Sequence, residues 1–285
     1  MGPGRVVAGI LAIVLPLAAE PTALRCRYPD WSPGTEKIAF SYATDDGGRL
    51  RAIATDGTVE SLQPAEGDAT EPDWSPDGKN VAFTWERNGN RDIAVLNLSS
   101  GKTRLVAGNP ATDRSPSWSP DGKRIAFCSD RDSGQDIYVV TVGGDEVARL
   151  TTDPAADTAP TWSPDGKTIA FCSERDGISQ LYLMNPDGSD QRLAVAAFAT
   201  APDWSRDGKR IAFAGEPPDP DPTGPLPKSI CVLDVAAGTV NRLGTTARGS
   251  DPSWSPDGKE IAFTISGRLY VVAADGGSLR ELSLF

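Results

Sequence analysis

The chain has 285 residues, a formal net charge of −11 and no histidine. The acidity argues against partners such as nucleic acid or an anionic membrane surface, because both attract a basic surface. The lack of histidine excludes Ser-His-Asp and Cys-His catalysis and any metal site built on imidazole ligands.

The first segment, residues 1–23, is predicted to be a signal peptide. One arginine, Arg5, precedes an apolar run of 14 residues from Val6 to Ala19, and small residues follow. This run is short for a transmembrane span, although an uncleaved N-terminal anchor remains the alternative. We therefore expect a periplasmic or secreted protein with no membrane insertion after processing.

The rest of the chain is built from one repeated motif. "WSPDGK" or a close variant occurs six times, each time followed by an apolar triplet such as "IAF", and the motif tryptophans are Trp31, Trp74, Trp118, Trp162, Trp204 and Trp254. Steps of 42 to 50 residues between them match the length of a four-stranded propeller blade. The sequence predicts an all-β fold: a six-bladed β-propeller of four-stranded antiparallel blades over residues 24–285.

Each repeat predicts the same local structure. Pro-Asp-Gly after the tryptophan indicates a type I turn with glycine in the left-handed conformation, whereas Pro33-Gly34 in the first repeat favours a type II turn. The Ile and Phe of each triplet should face one neighbouring blade and the Ala the other, with tryptophan as filler between blades. Cys128 and Cys172 are too far apart for a disulfide in such a ring, so we expect buried thiols.

The first and last repeats each supply four strands of their own. We therefore expect the ring to close by side-chain packing between blades one and six. A mixed blade, built from both ends of the chain, is not expected.

The repeat resembles that of the TolB-like family. The resemblance rests on "PxWSPDGKxIAF" followed by "CSDRD" or "CSERD", and it covers nearly all of the predicted mature chain. It implies an exported six-bladed propeller that binds proteins in the cell envelope. TolB-like proteins carry an α/β domain before the propeller; we expect it to be missing here, because the first repeat follows the predicted signal peptide closely. Related propellers cap serine peptidases of the prolyl oligopeptidase class, whose chemistry needs a histidine.

Two classes of function are compatible with this fold. The first is a non-enzymatic binding module that holds a protein or peptide partner on one propeller face. The alternative is a metal-dependent hydrolase or lactonase-like propeller with carboxylates around the central channel. We favour the binding module, with no catalytic residue and no cofactor, because most carboxylates occupy equivalent positions in the repeats.

Several acidic residues lie on the strands expected nearest the channel. Their carboxylates could attract Ca²⁺ through oxygen ligands, or they could bond to backbone groups along the inner strand edge, which we favour. These channel residues are Asp30, Glu71, Asp73, Asp203 and Asp251.

The loops opposite the uniform Pro-Asp-Gly-Lys turns differ from blade to blade. The longest, residues 216–228, contains six prolines and accounts for the 50-residue step. Prolines stiffen the loop, so it loses little entropy on binding. We predict a partner-binding surface here on a monomeric protein, although Arg131 and Arg175 could instead brace their loops. The predicted contacts are Phe198, Glu216, Pro217, Asp219, Asp221, Leu226, Arg87, Arg131 and Arg175.

Overall fold

The computed structural model describes residues 25–45, 47–64, 66–132, 134–144, 146–216, 229–243 and 249–283. These residues form six four-stranded antiparallel sheets and no helix. Accordingly, no helix among them is long and apolar enough to cross a membrane. The predicted signal peptide lies outside the described residues.

Each sheet is one repeat, with its four strands in chain order. The strands of blades one to three are β1 Arg25–Trp31, β2 Lys37–Thr44, β3 Gly47–Ala54, β4 Val59–Ser61, β5 Asp68–Trp74, β6 Asn80–Arg87, β7 Asn90–Asn97, β8 Lys102–Ala107, β9 Asp113–Trp118, β10 Arg124–Ser129, β11 Asp136–Thr141 and β12 Val147–Arg149. Those of blades four to six are β13 Asp157–Trp162, β14 Ile169–Ser173, β15 Gln180–Met184, β16 Arg192–Val195, β17 Ala199–Trp204, β18 Arg210–Gly215, β19 Ser229–Asp234, β20 Thr239–Arg242, β21 Gly249–Trp254, β22 Glu260–Ile265, β23 Arg268–Ala273 and β24 Leu279–Glu281.

The blades form a closed ring around a central channel. The first strand of each blade contacts the first strands of both neighbours, and β1 contacts β21 of the last blade. The prediction of an all-β, six-bladed propeller is confirmed. Blade two and blade five therefore lie on opposite sides of the ring.

The core lies between the blades, as the alternation of the triplets predicts. Ala39 of blade one packs with Val81, Phe83 and Trp74 of blade two, whereas Phe40 packs on the other side against blade six. Burying one such phenylalanine contributes about 1.5–3 kcal/mol relative to leaving it in water. The six motif tryptophans are 4–9% exposed, which confirms them as filler between blades. All four cysteines are buried and free, as expected of Cys128 and Cys172.

Among the described residues, the ring closes by packing and by hydrogen bonds between blades one and six, and each of these blades takes its four strands from one repeat. Ile38 and Phe40 pack against Ala262 and Val271 across the junction. The Cys26 N–H donates to the carbonyl of Gly267 at 2.7 Å, and the Trp31 N–H donates to Ser253 Oγ at 3.1 Å. Apart from a bulge between Arg27 and Asp30, β1 pairs with β2 inside the first blade.

The turn after each tryptophan repeats almost unchanged in five blades. Their glycines have φ of 68–70°, the left-handed conformation that was predicted: Gly78, Gly122, Gly166, Gly208 and Gly258. The first blade differs from the prediction. A type II turn needs positive φ at Gly34, and Gly34 is not among the residues with positive φ. The first turn is one residue longer, and its chain is held by hydrogen bonds of Ser32 to Thr35 and Lys37.

Candidate functional site

The wall of the channel is formed by a bulge that recurs in all six inner strands. In β1 the pairing with β2 skips Tyr28 and Pro29, and the other first strands skip the equivalent pair. The residue before each proline has φ of 49–54°, an uncommon conformation for a side chain other than glycine. Proline has no N–H, so at a bulge on the inner edge it costs no ladder hydrogen bond. This explains the proline two places before each tryptophan.

The side chain between that proline and the tryptophan bonds to the next blade. The inner strand has a free edge, and its N–H groups need acceptors. Five blades each provide an acceptor for the tryptophan N–H of the next blade. The pairs are Trp74 to Asp30 at 2.7 Å, Trp118 to Asp73 at 2.6 Å, Trp162 to Ser117 at 3.3 Å, Trp254 to Asp203 at 2.7 Å and Trp31 to Ser253 at 3.1 Å. In the described part of the chain, Thr161 makes no such bond to Trp204. These contacts join blade to blade around the channel.

Three of these acceptors, Asp30, Asp73 and Asp203, place carboxyl groups in the middle of the channel. Burial raises the pKa of Asp73 to about 8, and the nearby charge of Asp203 adds to this rise. Burial also raises the pKa of Asp203 to about 7. The pKa of Asp30 lies well above its usual range, because of burial and then because of the charge of Asp73. A narrow channel walled by protein hydrates the ionised form poorly, even where water can reach the group.

The two other acidic residues that were predicted at the channel, Glu71 and Asp251, lie at one mouth of it. Glu71 Oε2 accepts the Ser115 N–H at 2.7 Å and the Thr84 hydroxyl at 2.6 Å. Asp251 Oδ2 accepts the Ser250 hydroxyl at 3.1 Å. Burial raises the pKa of Asp251. Both carboxylates are thus bonded within the protein.

The five channel carboxylates do not form a metal cluster. Among the residues that the structure describes, no group of three or more Asp, Glu or Cys side chains is arranged to hold a metal ion. Two cavities of about 130 and 140 Å³ open on opposite ends of the channel, with Asp30, Asp73 and Asp203 in the wall of both. Asp30, Asp73, Asp203 and Glu71 each accept a backbone N–H, whereas Asp251 accepts a hydroxyl group.

The two faces of the ring differ in uniformity. On the lower face, defined by the turns at residues 32–36, 75–79, 119–123, 163–167, 205–209 and 255–259, the same hydrogen bond from serine to aspartate recurs in five blades at 2.6–2.8 Å. The upper face consists of the loops between second and third strands and of the connections between blades. Among the described residues, its loops range from the two-residue turns at Asn88-Gly89 and Ser266-Gly267 to the six-residue connection at 174–179 between β14 and β15.

Arg131 and Arg175 on the upper face are bound within their own blades. Arg131 Nη2 donates to both oxygens of buried Asp113 at 2.9 and 2.8 Å, and its Nε donates to Ser129 at 2.9 Å. Arg175 repeats this arrangement with Asp157 and Ser173. These contacts support the interpretation in which Arg131 and Arg175 brace their loops.

Arg87 occupies the equivalent position in blade two but has different neighbours. Its guanidinium carbon lies 3.6 Å from the centre of the Trp85 ring. Its Nε is buried without a hydrogen-bond partner in the described structure. Among the three predicted arginines, it alone has no carboxylate in the described structure.

The predicted surface around Phe198 is only partly described. Phe198 is half-buried, and its carbonyl accepts the Glu216 N–H at 3.0 Å, so these two residues lie side by side. The predicted contacts Pro217, Asp219, Asp221 and Leu226 lie outside the described residues. Phe198 precedes β17 of blade five, so it lies across the ring from Arg87.

One residue that sequence reasoning did not single out joins this surface. Ile178, in the loop between β14 and β15, is 49% exposed. Its neighbour Ser179 exchanges hydrogen bonds with Ala199 at 2.7 and 2.9 Å, which holds the loop against the segment that carries Phe198. The available signal was a single isoleucine in the otherwise polar string "ERDGIS".

Comparison with known proteins agrees with this architecture. The family model described as the TolB beta propeller domain matches residues 24–145 and 92–285. The chain belongs to this family of β-propellers. No curated protein matches the sequence.

Two TolB structures are similar in sequence and fold. TolB from Acinetobacter baumannii is 26% identical, with a TM-score of 0.70, over 89% of this chain and 62% of that one. A putative TolB from Agrobacterium tumefaciens is 26% identical, with a TM-score of 0.71, over 84% of this chain and 90% of that one. The chain thus spans less than two thirds of the length of the Acinetobacter protein.

Enzymes share the fold as well. An oligogalacturonate lyase from Vibrio parahaemolyticus matches 92% of this chain and 79% of its own, with a TM-score of 0.64, but is only 16% identical. This likeness concerns the fold alone, because propellers carry both enzymes and binding modules.

Proposed function

We propose that the protein is an exported, monomeric binding module without catalytic activity, and that its upper face holds a protein or peptide partner in the cell envelope. Membership of the TolB propeller family supports a binding role. The sequence of residues 1–23 supports export. The absence of histidine from the whole chain excludes catalysis through an imidazole group.

The observation that carries this proposal is the contrast between the two faces. The lower face repeats one hydrogen-bonded turn, in which serine and aspartate satisfy each other. The upper face combines exposed Ile178 with Phe198 and Glu216 at the start of the long loop. Apolar residues that share a surface and are rimmed by polar groups are typical of a partner-binding site.

The alternative, a metal-dependent hydrolase with channel carboxylates, has less support. Asp30, Asp73 and Asp203 each use one oxygen to hold the next blade. In such a hydrolase, the same carboxyl groups would have to take part in catalysis and also hold neighbouring blades together. The described residues also offer no cluster of carboxylates for a metal.

Deletion of residues 217–227, closed by a short turn, tests the proposed surface. We expect loss of partner capture from envelope extract with the fold intact by circular dichroism. As a matched control, Lys79→Ala with Lys123→Ala removes two charges from the lower face and should leave capture unchanged. Unchanged capture by the deletion variant would exclude this surface.

Export is tested separately on the full chain. N-terminal sequencing of the protein recovered from the periplasm or medium should begin near residue 24. A protein that keeps residues 1–23 and pellets with membranes would support the anchor instead.

A further inference from the structure

We propose that Arg87 is a recognition site for a carboxylate group of the partner. This inference rests on the proposed function, because it assigns a chemical feature to the partner of the upper face. It comes from a comparison of equivalent positions in blades two, three and four.

Blade two keeps the arginine but lacks both groups that bind it in the other two blades. Blade three surrounds Arg131 with Asp113 and Ser129. The equivalent residues of blade two are Ala69 and Trp85. Arg87 therefore loses its internal carboxylate and the acceptor for its Nε.

The guanidinium of Arg87 is nevertheless held in place. Trp85 is 6% exposed, and its indole N–H donates to the Glu66 carbonyl at 2.7 Å, which fixes the ring under the arginine. A Cβ added to Gly67 would lie 2.7 Å from the Arg87 Cγ, so the side-chain stem packs against this backbone. A stacked arginine loses less entropy when it binds, because its orientation is already set.

The ends of the guanidinium point to where a ligand could reach them. Nε is buried and has no hydrogen-bond partner, whereas Nη1 and Nη2 make no hydrogen bond in the described structure and are not among its buried unpartnered atoms. These two nitrogens form a planar pair of donors that matches the two oxygens of a carboxylate.

The neighbouring charges leave this cation without an internal partner. Arg91 pairs with Glu86 at 2.8 Å, and Arg49 pairs with Asp68 at 3.2 Å. Glu86 and Asp68 thus each have a cation already, and Glu66 is exposed and makes no ion pair with Arg87 in the described structure. A carboxylate is the ligand that the equivalent arginines bind in blades three and four, which favours this class over a phosphate.

The first experiment uses acetate as the probe and needs no partner. We would follow the arginine Nε–Hε signals by NMR during titration with sodium acetate, with sodium chloride held at matched ionic strength. The signal that is missing in Arg87→Gln should shift and saturate. A shift without saturation, an equal shift of the Arg91 signal, or tighter binding of inorganic phosphate would overturn the assignment.

The second experiment measures partner capture. Arg87→Gln should weaken capture about tenfold, the loss of one charge-assisted contact. Arg91→Gln, in the same hairpin but already paired with Glu86, should change capture less than about twofold. Equal effects of both variants would overturn the inference. Absence of any capture by the unmodified protein would instead contradict the proposed function, and the acetate titration would still test Arg87.

A third variant covers the case in which Arg87→Gln fails to fold. Ala69→Asp with Trp85→Ser and Ala94→Tyr copies the arrangement of blade three into blade two, where Tyr138 stands in place of Ala94. The new aspartate should form an internal ion pair with Arg87 and so abolish the acetate-dependent shift of the NMR signal. A persistent, saturable shift in this folded variant would contradict the role of Arg87.

Discussion

Blades three and four hold an arginine against a buried aspartate, whereas blade two holds the equivalent arginine against a tryptophan ring. The same residue type at the same repeat position is therefore structural in two blades and available in the third. Asp113 and Asp157 are fully buried, and each depends on its arginine for charge compensation. Arg87 compensates no charge in the described structure, so its removal costs the fold little. The comparison of these arginines shows that the neighbours of a repeated residue determine its role more than its residue type does.

The largest expected effect is loss of the buried ion pair in blade three. Arg131→Met should lower the free energy of unfolding by about 3–5 kcal/mol, because it leaves Asp113 buried without a cation. Arg87→Met, the matched control, should change it by less than about 1 kcal/mol, since it removes a buried N–H that has no partner. Denaturant unfolding followed by circular dichroism measures both. Equal destabilisation would remove the distinction between the two blades.

A second test concerns the channel carboxyl groups of Asp73 and Asp203, which, unlike Asp113 and Asp157, make no ion pair in the described structure. Asp73 and Asp203 have pKa values raised from 3.8 to about 8 and about 7, so the folded protein binds more protons than the unfolded chain between these limits. Their contribution to stability is therefore full below about pH 4 and is lost as the pH rises through 7 to 8. The melting temperature should fall by several degrees from about pH 5 to about pH 8.5.

Asp73→Asn should flatten this pH dependence, since the amide oxygen can still accept the Trp118 N–H without ionising. Asp165→Asn serves as the control. The pKa of Asp165 is lowered by the Ser163 hydroxyl, so this group titrates below the window. A slope that stays unchanged in Asp73→Asn would show that the channel carboxyls do not titrate there.

The labelling rates of Cys128 and Cys172 report how easily blade three and blade four open locally. Burial raises the pKa of Cys128 and of Cys172 to about 12, so neither thiol should react with a disulfide reagent in the folded protein. Arg131→Met should speed labelling of Cys128 in blade three about tenfold, equivalent to ~1.4 kcal/mol in local opening. Cys172 in blade four should keep its rate. Mass spectrometry of labelled peptides distinguishes them, and equal acceleration at both sites would indicate global unfolding.

The smallest expected effect is that of calcium. The carboxylates of Asp30, Asp73 and Asp203 each accept a backbone N–H, and among the described residues no three acidic side chains are arranged to hold a metal ion. Calorimetry with CaCl₂ should therefore give no binding heat and no shift in melting temperature. A binding heat that disappears in Asp73→Asn would establish a channel site and contradict this expectation.

Much of the channel could be predicted from sequence, but the upper face could not. The residues between proline and tryptophan were correctly placed at the inner edge, because a repeated strand pattern determines which face each residue occupies. Ile178 was missed because one apolar residue in a loop has no periodic context. The sequence analysis treated Arg87, Arg131 and Arg175 as equivalent because they occupy the same repeat position. A comparison of the repeats could have separated them, since repeat two has Ala69 and Trp85 where repeat three has Asp113 and Ser129.

The sequence by itself determined the number of blades, the strand order, the turn glycines and the inter-blade role of the tryptophans. These features follow from short-range rules of turn geometry and strand alternation, repeated six times. Only the tertiary structure decided which groups meet across blades: that Asp30 accepts the Trp74 N–H, that Ser253 closes the ring to Trp31, and that Arg87 stacks on Trp85 with its donors open. The first two contacts join different blades, and the third depends on a ring fixed by a neighbouring loop. Such distances are set only when the blades pack.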